Sequence, residues 1–443
     1  MSVVTEILSK VGDSREIAHY LGMYDSVDPD RRGVIKISGS CLQGDSLEMI
    51  AEDLAHLQQL GFIPTVTHGW GAELNDILTA QGIENKFVNG DRYTDEQVME
   101  EVVKIAGRKG EELKQAVKAA GGSADFLGPP MGIVKSKDKN EPEYGSHNGN
   151  IVGIDTEPIY DAIGSGMIPI VSPIGTSDDF SKMHNINSAS VGSALTKAID
   201  PVKYLMVTSA GGVLNNKGGF ISEIVLRKNL QELVDNGVIT EGMLKNVEEA
   251  AASLYRREST GDDRSVQIVS PGNLLYELFT HRGKGTFIRT GYEIEGKPVS
   301  EVGKEVIYPI VADAFGENLK EGYYQGRCNG NAQVFIEKNG KGLAIVIDGY
   351  MDILAVKNGY QRTGLGRDLV DAALKSQDTK KPELHWRTQR QRPINAFYND
   401  LADGRQNFDG PEGVPMVGYW IGLSPAKAHH KLDQMKRMPS NFT

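Results

Sequence analysis

The spacing of hydrophobic and polar positions changes most sharply near the C-terminus. Residues 350–356 alternate loosely and are rich in apolar types, which predicts a strand. The polar turn 357–359 ends it, and apolar positions from Arg367 to Leu374 fall at helical spacing. In the glycine-bearing loop 361–366 backbone N–H groups can converge without Cβ interference, and the helix N-terminus behind it adds partial positive charge. The stretch is therefore suited to a pyrophosphate.

The N-terminal half repeats a unit in which a buried strand ends in a glycine turn that leads into a helix. Residues 33–40 give the first strand and turn, a helical stretch runs to about Leu60, and strand 62–67 and turn 68–71 follow. Two such units close together predict βαβ connections and a parallel sheet, so the fold class is α/β. Both turns lie at the carboxyl ends of their strands, where parallel sheets bind ligands.

Composition limits the class of protein. At 443 residues the chain is too long for one ordinary core, and two or three domains are expected. Hydrophobic content of 39% and charged content of 24% are typical of a soluble globular protein. A net charge of −11 argues against a nucleic-acid surface. With Cys41 and Cys328 alone, neither a disulfide framework nor a cysteine-rich metal site is expected, and no metal is predicted.

The N-terminal segment, residues 1–30, is predicted to form one or two short amphipathic helices. It lacks the apolar region of a signal peptide and the arginine-rich pattern of a transit peptide. No run approaches the roughly 18 apolar residues that span a bilayer. The sequence therefore predicts a cytoplasmic protein without a membrane segment.

The order Q-R-x-G-x-G in loop 361–366 resembles the acetyl-CoA loop of the GNAT family of N-acetyltransferases. Residues 384–387 are predicted to be a second strand, 393–398 a helix start, and 418–423 a final short strand. This succession resembles the transferase domain of the bifunctional N-acetylglutamate synthase/kinases and of vertebrate-type N-acetylglutamate synthases. The resemblance implies a GNAT acetyltransferase fold (α+β) over residues 291–443, with acetyl-CoA as its cofactor.

The resemblance also implies roles for individual residues of this domain. Backbone N–H groups beside Ala355 and Val356 would stabilise the thioester oxyanion. Tyr398 matches the tyrosine that protonates the departing thiolate; the alternative is a core tyrosine at helical spacing. The acetyl-CoA loop would use Gln361, Arg362, Thr363, Gly364, Leu365 and Gly366.

The acceptor side departs from the pattern. Arg387 matches the first arginine of the family's W-R-S-R, which faces the carboxylate of the amino acid, and Asn395 matches the last residue of its P-I-N. The second arginine of W-R-S-R is Gln389 here, Arg392 replaces the asparagine before P-I-N, and Ile353 replaces a lysine. We therefore hypothesise that the acceptor is not glutamate. Alternatively, glutamate is held differently from the way the family holds it, with Arg392 and Arg390 supplying the charge.

The two glycine turns near the N-terminus resemble the phosphate-facing loops of the amino-acid kinases, specifically acetylglutamate kinase. Segment 88–94 resembles N-G-x-R-x-T, whose arginine holds a carboxylate of the acetylated amino acid, and 185–187 matches part of N-x-N-A-D. The resemblance implies an amino-acid-kinase fold, a parallel-rich sheet between helices, over residues 31–290. Its site would comprise Lys36, Gly39, His68, Gly69, Gly71, Arg92 and Asn185.

Several kinase positions are altered. Trp70 occupies the middle of the second glycine turn, Ala189 replaces the aspartate of N-x-N-A-D, and Asn246 stands where a second lysine belongs. Each lost charged contact in phosphoryl transfer typically costs a few kcal/mol. We therefore expect a degenerate kinase domain. The alternative is a kinase domain that still uses ATP and magnesium, with Lys245 in place of the lysine that is missing at position 246.

Together these features predict an amino-acid N-acetyltransferase that acts on glutamate or a similar amino acid. The resemblance implies arginine biosynthesis, arginine as an effector, and a homo-oligomer, a tetramer assembled through the kinase domains. One alternative is an acetylglutamate kinase or a bifunctional synthase/kinase that uses ATP. Another is a regulatory paralogue that binds ligands without turnover.

Overall fold

The computed structural model divides the chain into two compact units, residues 1–290 and 291–443. It describes residues 14–25, 28–29, 33–215, 218–226, 230–239, 247–248, 250–254, 265–279, 284–316, 332–358, 360–361, 364–377, 383–389, 398–399, 401–409, 415–423, 427–428 and 431. Several predictions concern positions outside these residues, namely Arg362, Thr363, Arg390, Arg392, Asn395, Lys245 and Asn246.

The described part of the first unit contains a large sheet of eight strands in the order β12-β14-β13-β11-β1-β2-β8-β5. All its pairs are parallel except the pair β13/β14, so the predicted parallel-rich sheet is confirmed. Its strands are β1 (Gly33–Ile37), β2 (Thr65–His68), β5 (Ala124–Leu127), β8 (Ile168–Val171), β11 (Lys203–Val207), β12 (Glu223–Val225), β13 (Ser265–Val269) and β14 (Thr286–Arg289).

Both faces of this sheet are buried, as expected of parallel strands with crossover helices. Along β1, Ile35 and Ile37 join one core and Val34 joins the other. One face is covered by α1 (Ser14–Asp25), α2 (Gly44–Gln59), α4 (Glu96–Ala119) and α8 (Leu274–Phe279). The other is covered by α5 (Glu157–Gly164), α6 (Ser188–Ile199) and the helical residues 247–248 and 250–254. Helices α3 (Gly71–Ala80) and α7 (Leu230–Asp235) complete the set described in this unit.

One predicted strand starts later than expected. The apolar pattern began at Phe62, whereas β2 begins at Thr65. Pro64 carries no N–H group and cannot take part in the hydrogen-bond ladder, so pairing with β1 begins after it. Phe62 nevertheless packs in the core, at 2% exposure.

A smaller sheet that the sequence did not predict lies in the same unit. In the described residues it has the strand order β10-β9-β6-β7. An additional parallel bridge joins Asn148, beside β7, to Asn185 at the end of β10, so the sheet nearly closes on itself. The strands are β6 (Val134–Asp138), β7 (Gly149–Ile154), β9 (Ile174–Thr176) and β10 (Met183–Asn185), and a separate hairpin is formed by β3 (Phe87–Val88) and β4 (Asp91–Arg92).

The second unit is built on a sheet that, in the described residues, has the order β15-β16-β17-β18-β19-β21-β20. Neighbouring strands are antiparallel except β18 and β19, which are parallel. The strands are β15 (Ile294–Pro298), β16 (Ala332–Glu337), β17 (Gly342–Ile347), β18 (Tyr350–Val356), β19 (Leu384–Gln389), β20 (Gly404–Asp409) and β21 (Pro415–Ile421). Helices α9 (Lys304–Phe315) and α10 (Leu365–Lys375) contribute to separate hydrophobic cores.

Strands β18 and β19 separate soon after they meet. Tyr350 and His385 are the register pair between them in the described residues. On its other side β18 pairs with β17 along its length, with a bulge at Asp352, where Met351 pairs with Val346 and Ile353 pairs with Ile345. A bulge bends the strand that contains it. The sheet therefore opens between the carboxyl ends of β18 and β19. Within the described ranges, every helix is too short or too polar to span a bilayer.

Candidate functional site

The two glycine turns of the first unit touch each other at the carboxyl edge of the large sheet. A Cβ atom on Gly39 would lie 2.6 Å from Cα of Trp70, so no larger residue fits there. The N–H of Gly69 donates to the carbonyl of Ile37 over 2.9 Å. The first turn of α6 arrives at the same place, because a Cβ on Gly69 would lie 3.0 Å from Ser188 Oγ. Gly71 is under no such constraint: nothing lies within 4 Å of its added Cβ.

Lys36 lies beside these turns, on the sheet face covered by α6. It is 5% exposed, and its Nζ donates to Ser38 Oγ over 3.0 Å. An added Cβ on Gly192, in α6, would lie 3.3 Å from the Cβ of Lys36. Burial lowers the pKa of the Lys36 ammonium to about 8. A buried cation at the meeting point of two glycine turns and a helix N-terminus is an arrangement suited to anionic oxygens.

His68 and Trp70 are core side chains. His68 is fully buried, and burial lowers the pKa of its imidazole to about 4, so the ring is neutral at pH 7. The Trp70 indole, 6% exposed, packs in an apolar cluster with residues of α3 and α4 that include Leu74 and Val102. The α3 and α4 packing thus places the indole of Trp70 in the core.

Arg92, on the hairpin strand β4, is held by neutral oxygens. Its guanidinium donates to the Asn85 side chain over 2.5 Å, to the Asn75 side chain, and to the carbonyl of Gly71 over 3.5 Å. It also lies 4.5 Å above the ring centroid of Phe87. Arg92 is 8% exposed, and burial lowers its pKa to about 10. A guanidinium with neutral partners retains its full charge for an anionic ligand.

Asn185 is connected to the backbone of Arg92 through Thr94. Its Nδ2 donates to Thr94 Oγ1 over 3.0 Å, and that hydroxyl donates to the carbonyl of Arg92 over 2.9 Å. Asn148 Nδ2 donates to the same carbonyl over 2.9 Å. The structure thus groups Lys36 and its glycine turns in one place, and joins Arg92 to Asn185 by a short hydrogen-bond chain.

Residues that support these positions gave no signal in the sequence. Asn75, Asn85 and Asn148 are single polar residues that belong to no motif, and they contact Arg92 from 7 to 56 residues away in sequence. Thr94 is different, because it is the last residue of the N-G-x-R-x-T segment.

Ala189 occupies the first turn of α6, where it is 2% exposed and packs in the core. Its N–H donates to Asn187 Oδ1 over 2.9 Å, so the asparagine caps the helix. A cavity of about 600 Å³ lies between β7 and α6 and is lined by Asn148, Asn187 and Lys197, among others. None of the predicted kinase-like site residues lines it.

In the second unit, Val356 faces the opening between β18 and β19. The N–H of Lys357 donates to the carbonyl of Lys341 across β17, over 2.9 Å. Because alternate residues of a strand direct their N–H groups to opposite edges, the N–H of Val356 points away from β17 and that of Ala355 points toward it. Of the two predicted oxyanion donors, Val356 is therefore the one directed into the opening.

The loop after β18 is tied down at two points. The N–H and side chain of Asn358 donate to Asp313 at the end of α9, over 2.6 and 2.7 Å. Gln361 Nε2 donates to the carbonyl of Val356 over 3.1 Å. Asp313 gave no signal in the sequence, whereas Asn358 lies in the predicted polar turn 357–359.

The described part of the predicted pyrophosphate loop ends at the start of α10. Gly364 precedes the first turn of α10 with φ of +89°, a conformation that favours glycine. Leu365 is fully buried against the sheet, and Gly366 lies in the first turn of the helix. The helix N-terminus behind this glycine can attract a phosphate.

Tyr398 and Arg387 lie on opposite faces of β19. The ring of Tyr398 packs against Trp386 and Tyr419, with centroids 5.3 and 5.5 Å away. Burial raises the pKa of the Tyr398 phenol above its usual range, with smaller effects from Tyr419 and Tyr350. Arg387 follows Trp386 in β19 and is half-buried, so alternation places its side chain on the other face.

Ile353, which replaces a family lysine, is 3% exposed and packs in the core beneath α9. The isoleucine at position 353 therefore contributes to core packing in this chain.

Most of the chain is similar to known proteins. Residues 31–269 match the amino acid kinase family. Acetylglutamate kinase of Xanthomonas campestris pv. campestris is 28% identical over 404 residues, which cover 89% of this chain and 92% of that protein.

Two solved structures of N-acetylglutamate synthase from Neisseria gonorrhoeae have similar folds. The complex with coenzyme A and N-acetyl-glutamate has a TM-score of 0.63 and 18% identity, covering 92% of this chain and 98% of that one. The complex with coenzyme A and L-arginine has a TM-score of 0.59 and 20% identity, covering 94% and 95%.

Proposed function

The chain belongs to the amino acid kinase family, and from that premise we propose that it is a two-domain amino-acid N-acetyltransferase of the N-acetylglutamate synthase type. Its second unit transfers an acetyl group from acetyl-CoA to the α-amine of glutamate or a related amino acid, a step of arginine biosynthesis. The observation that carries the proposal is the opening between β18 and β19, with the N–H of Val356 directed into it.

The residues around this opening supply the chemistry of acyl transfer. Acetyl-CoA brings the acetyl group as a thioester. The N–H of Val356 donates to the thioester oxygen as negative charge develops on it. The turn at Gly364 and the start of α10 bind the pyrophosphate, with Arg362 and Thr363 in the same loop. Tyr398, which burial keeps protonated, donates its proton to the departing sulfur.

Arginines recognise the acceptor. Arg387 pairs with the carboxylate of the amino acid, and Arg392 and Asn395 contribute further contacts. We expect Arg392→Ala to raise the KM for the amino acid while the KM for acetyl-CoA stays constant. An unchanged acceptor KM would show that Arg392 does not replace the family's contacts.

A bifunctional synthase/kinase is the second candidate, and one observation favours it. The relative from Xanthomonas campestris is named for kinase activity, and its similarity extends over 89% of this chain, beyond the kinase-like unit. In this candidate, Lys36, Gly39, Gly69, Arg92 and Asn185 would serve phosphoryl transfer from ATP with magnesium. Against it stands Ala189, an apolar residue where a lysine-orienting carboxylate is expected.

We also propose that the protein is a cytoplasmic homo-oligomer, a tetramer, and that arginine is its effector. The Neisseria gonorrhoeae synthase, which has a similar fold, forms a complex with L-arginine. Full-length protein should therefore bind arginine in a calorimetric titration.

The proposed activity is tested by coenzyme A release from acetyl-CoA, with glutamate and then a panel of other amino acids. Release with glutamate supports a synthase, and release with another amino acid alone identifies a transferase with a changed acceptor. No release with any amino acid contradicts the transferase. ADP formation from ATP and N-acetylglutamate, measured on the same preparation, would then support the kinase, and ligand binding without either reaction would support the regulatory paralogue.

A further inference from the structure

Three polar side chains form a line inside the small sheet of the first unit. Ser136 Oγ lies 2.8 Å from His184 Nδ1, and His184 Nε2 lies 3.0 Å from Asp138 Oδ1. Ser136 and His184 are 3% and 1% exposed. With Nε2–H donating to the carboxylate, the neutral ring accepts at Nδ1 from the serine hydroxyl. Ser136 and His184 are thus buried with partners, whereas Asp138 is partly exposed and its Oδ1 also accepts from Lys182 Nζ over 2.5 Å.

Two glycines provide the space for the array. An added Cβ on Gly175 would lie 2.3 Å from Ser136 Oγ, and one on Gly149 would lie 2.6 Å from the Cβ of His184. Gly175 is the register partner of His184 on β9. Neither glycine has a positive φ, so both are required for space rather than for backbone conformation.

The array does not suit nucleophilic catalysis, although it contains a serine, a histidine and an aspartate. A hydrolytic serine needs an accessible Oγ and bonds to Nε2, while the carboxylate orients Nδ1–H. Here Ser136 is buried and bonds to Nδ1, and Asp138 bonds to Nε2. What the array does in this structure is connect β6 to β10 through hydrogen bonds.

The strand that is braced carries Asn185 on its opposite face. Asn185 donates its N–H to the carbonyl of His147 over 2.8 Å and its side-chain amide to Thr94 over 3.0 Å. The His147 ring in turn bonds to the carbonyl of Met183 and to Glu96, over 2.9 and 2.7 Å. Strand β10 is thus held from both faces, and four of the contacts named here involve His147 or His184.

We infer that His184 is a positioning residue for the acceptor site of the first unit, by which we mean the place beside Arg92 and Asn185 where the kinase-type second candidate would bind an acetylated amino acid. By fixing β10 to β6, the ring holds Asn185 within reach of Thr94 and therefore in a constant position relative to Arg92. This inference rests on the proposed binding of an acetylated amino acid by Arg92 and Asn185. A ligand that spans these two residues is bound tightly only if β10 does not move.

Three variants of the full chain test the inference. His184→Phe keeps a ring but removes both hydrogen bonds, Ser136→Ala removes one, and His184→Gln retains an amide that can donate to Asp138. Lys137→Ala, an exposed neighbour on β6, is the matched control. The readouts are hydrogen–deuterium exchange of residues 183–187 and the calorimetric affinity for N-acetylglutamate, with coenzyme A affinity as an internal standard.

We expect exchange of residues 183–187 to rise roughly tenfold in His184→Phe and less in Ser136→Ala, while β1 stays protected. Affinity for N-acetylglutamate should fall by roughly the same factor, with partial rescue in His184→Gln and no change for coenzyme A. If His184→Phe and Ser136→Ala had the same exchange rates and the same N-acetylglutamate affinity as Lys137→Ala, the inference would be overturned. Ser136→Ala deletes a single oxygen and keeps the test valid if His184→Phe does not fold. A wild-type chain without N-acetylglutamate affinity would instead contradict the proposed acceptor site, and the exchange data would still decide whether the array fixes β10.

Discussion

Tyr350 and His385 face each other at the point where the two parallel strands of the second unit meet, with ring centroids 5.3 Å apart. The backbone N–H of His385 donates to the carbonyl of Gly349 over 3.1 Å, which fixes the start of β19 beside β18. Burial lowers the pKa of the His385 imidazole to about 4, so this contact stays uncharged at pH 7. Past this pair the strands diverge, and Val356 lies on the open edge.

Gly364→Ala should weaken coenzyme A binding. A non-glycine residue in the left-handed conformation of Gly364 costs about 1–2 kcal/mol, and relief of that strain would move the first turn of α10. The loss corresponds to a roughly 5- to 30-fold weaker affinity for coenzyme A, measured by calorimetric titration.

Gly340→Ala is the matched control for this variant. Gly340 also has a positive φ, +68°, but lies in the hairpin turn between β16 and β17. It should lower the melting temperature to a similar extent and leave coenzyme A affinity unchanged. Equal affinities for both variants and wild type would show that the turn at Gly364 does not contact the pyrophosphate.

Tyr398→Phe should lower kcat by roughly a hundredfold with little change in KM, because a general acid acts on the leaving sulfur in the transition state. Since the phenol pKa is raised, wild-type activity should not decline through Tyr398 ionisation as pH rises from 7 to about 10. Steady-state kinetics across this pH range measure both effects. Tyr419→Phe, which alters the adjacent ring, should keep kcat. If Tyr398→Phe also kept it, Tyr398 would be a core residue and another group would protonate the thiolate.

Arg92→Ala should reduce affinity for N-acetylglutamate at the first unit by about 2–3 kcal/mol, roughly 30- to 150-fold, because the carboxylate of the ligand loses its guanidinium partner. The oxygens of Asn75 and Asn85 also lose their donor, so the melting temperature should fall as well. Arg108→Ala, on the surface of α4, is the control and should change neither quantity by much. Wild-type affinity in Arg92→Ala would remove Arg92 from the acceptor site.

Lys36→Met should stabilise the first unit at neutral pH. Burial lowers the Lys36 pKa from 10.5 to about 8, so the folded state penalises the charged form. Below pH 8 both states carry the charge and the penalty, on the order of 3 kcal/mol at most, is fully present. It diminishes between pH 8 and 10.5, where the folded state alone is neutral. Chemical denaturation should therefore show a stabilised variant at pH 7 and a smaller difference at pH 10, with exposed Lys135→Met as control. A variant less stable than wild type at pH 7 would contradict the burial penalty.

Those elements whose apolar spacing was regular could be predicted from the sequence. The strand 350–356, the helix after Gly364, the strand that begins at Leu384 and the βαβ units around β1 are confirmed. The fold class and the family resemblance are confirmed by the comparisons. Each of these depends on local periodicity or on a motif that is continuous in sequence.

The small sheet could not be predicted, because polar residues interrupt the apolar pattern of its buried positions. Ser136 and His184 occupy inward positions that a period-two pattern would reserve for apolar residues. Its strands are short, and its closing bridge joins Asn148 to Asn185, 37 residues away. The contacts of Arg92 were unpredictable for a similar reason: they are single polar pairs whose geometry exists only after folding.

The most direct test is product analysis of full-length protein with isotopically labelled acetyl-CoA and glutamate, with and without ATP, by mass spectrometry. Our account predicts labelled N-acetylglutamate in both reactions, abolished or strongly reduced by Tyr398→Phe. An acyl phosphate trapped by hydroxylamine only when ATP is present would add the kinase reaction to it. Absence of labelled N-acetyl product with glutamate and with every other amino acid supplied would contradict the central claim that the second unit is an acetyltransferase.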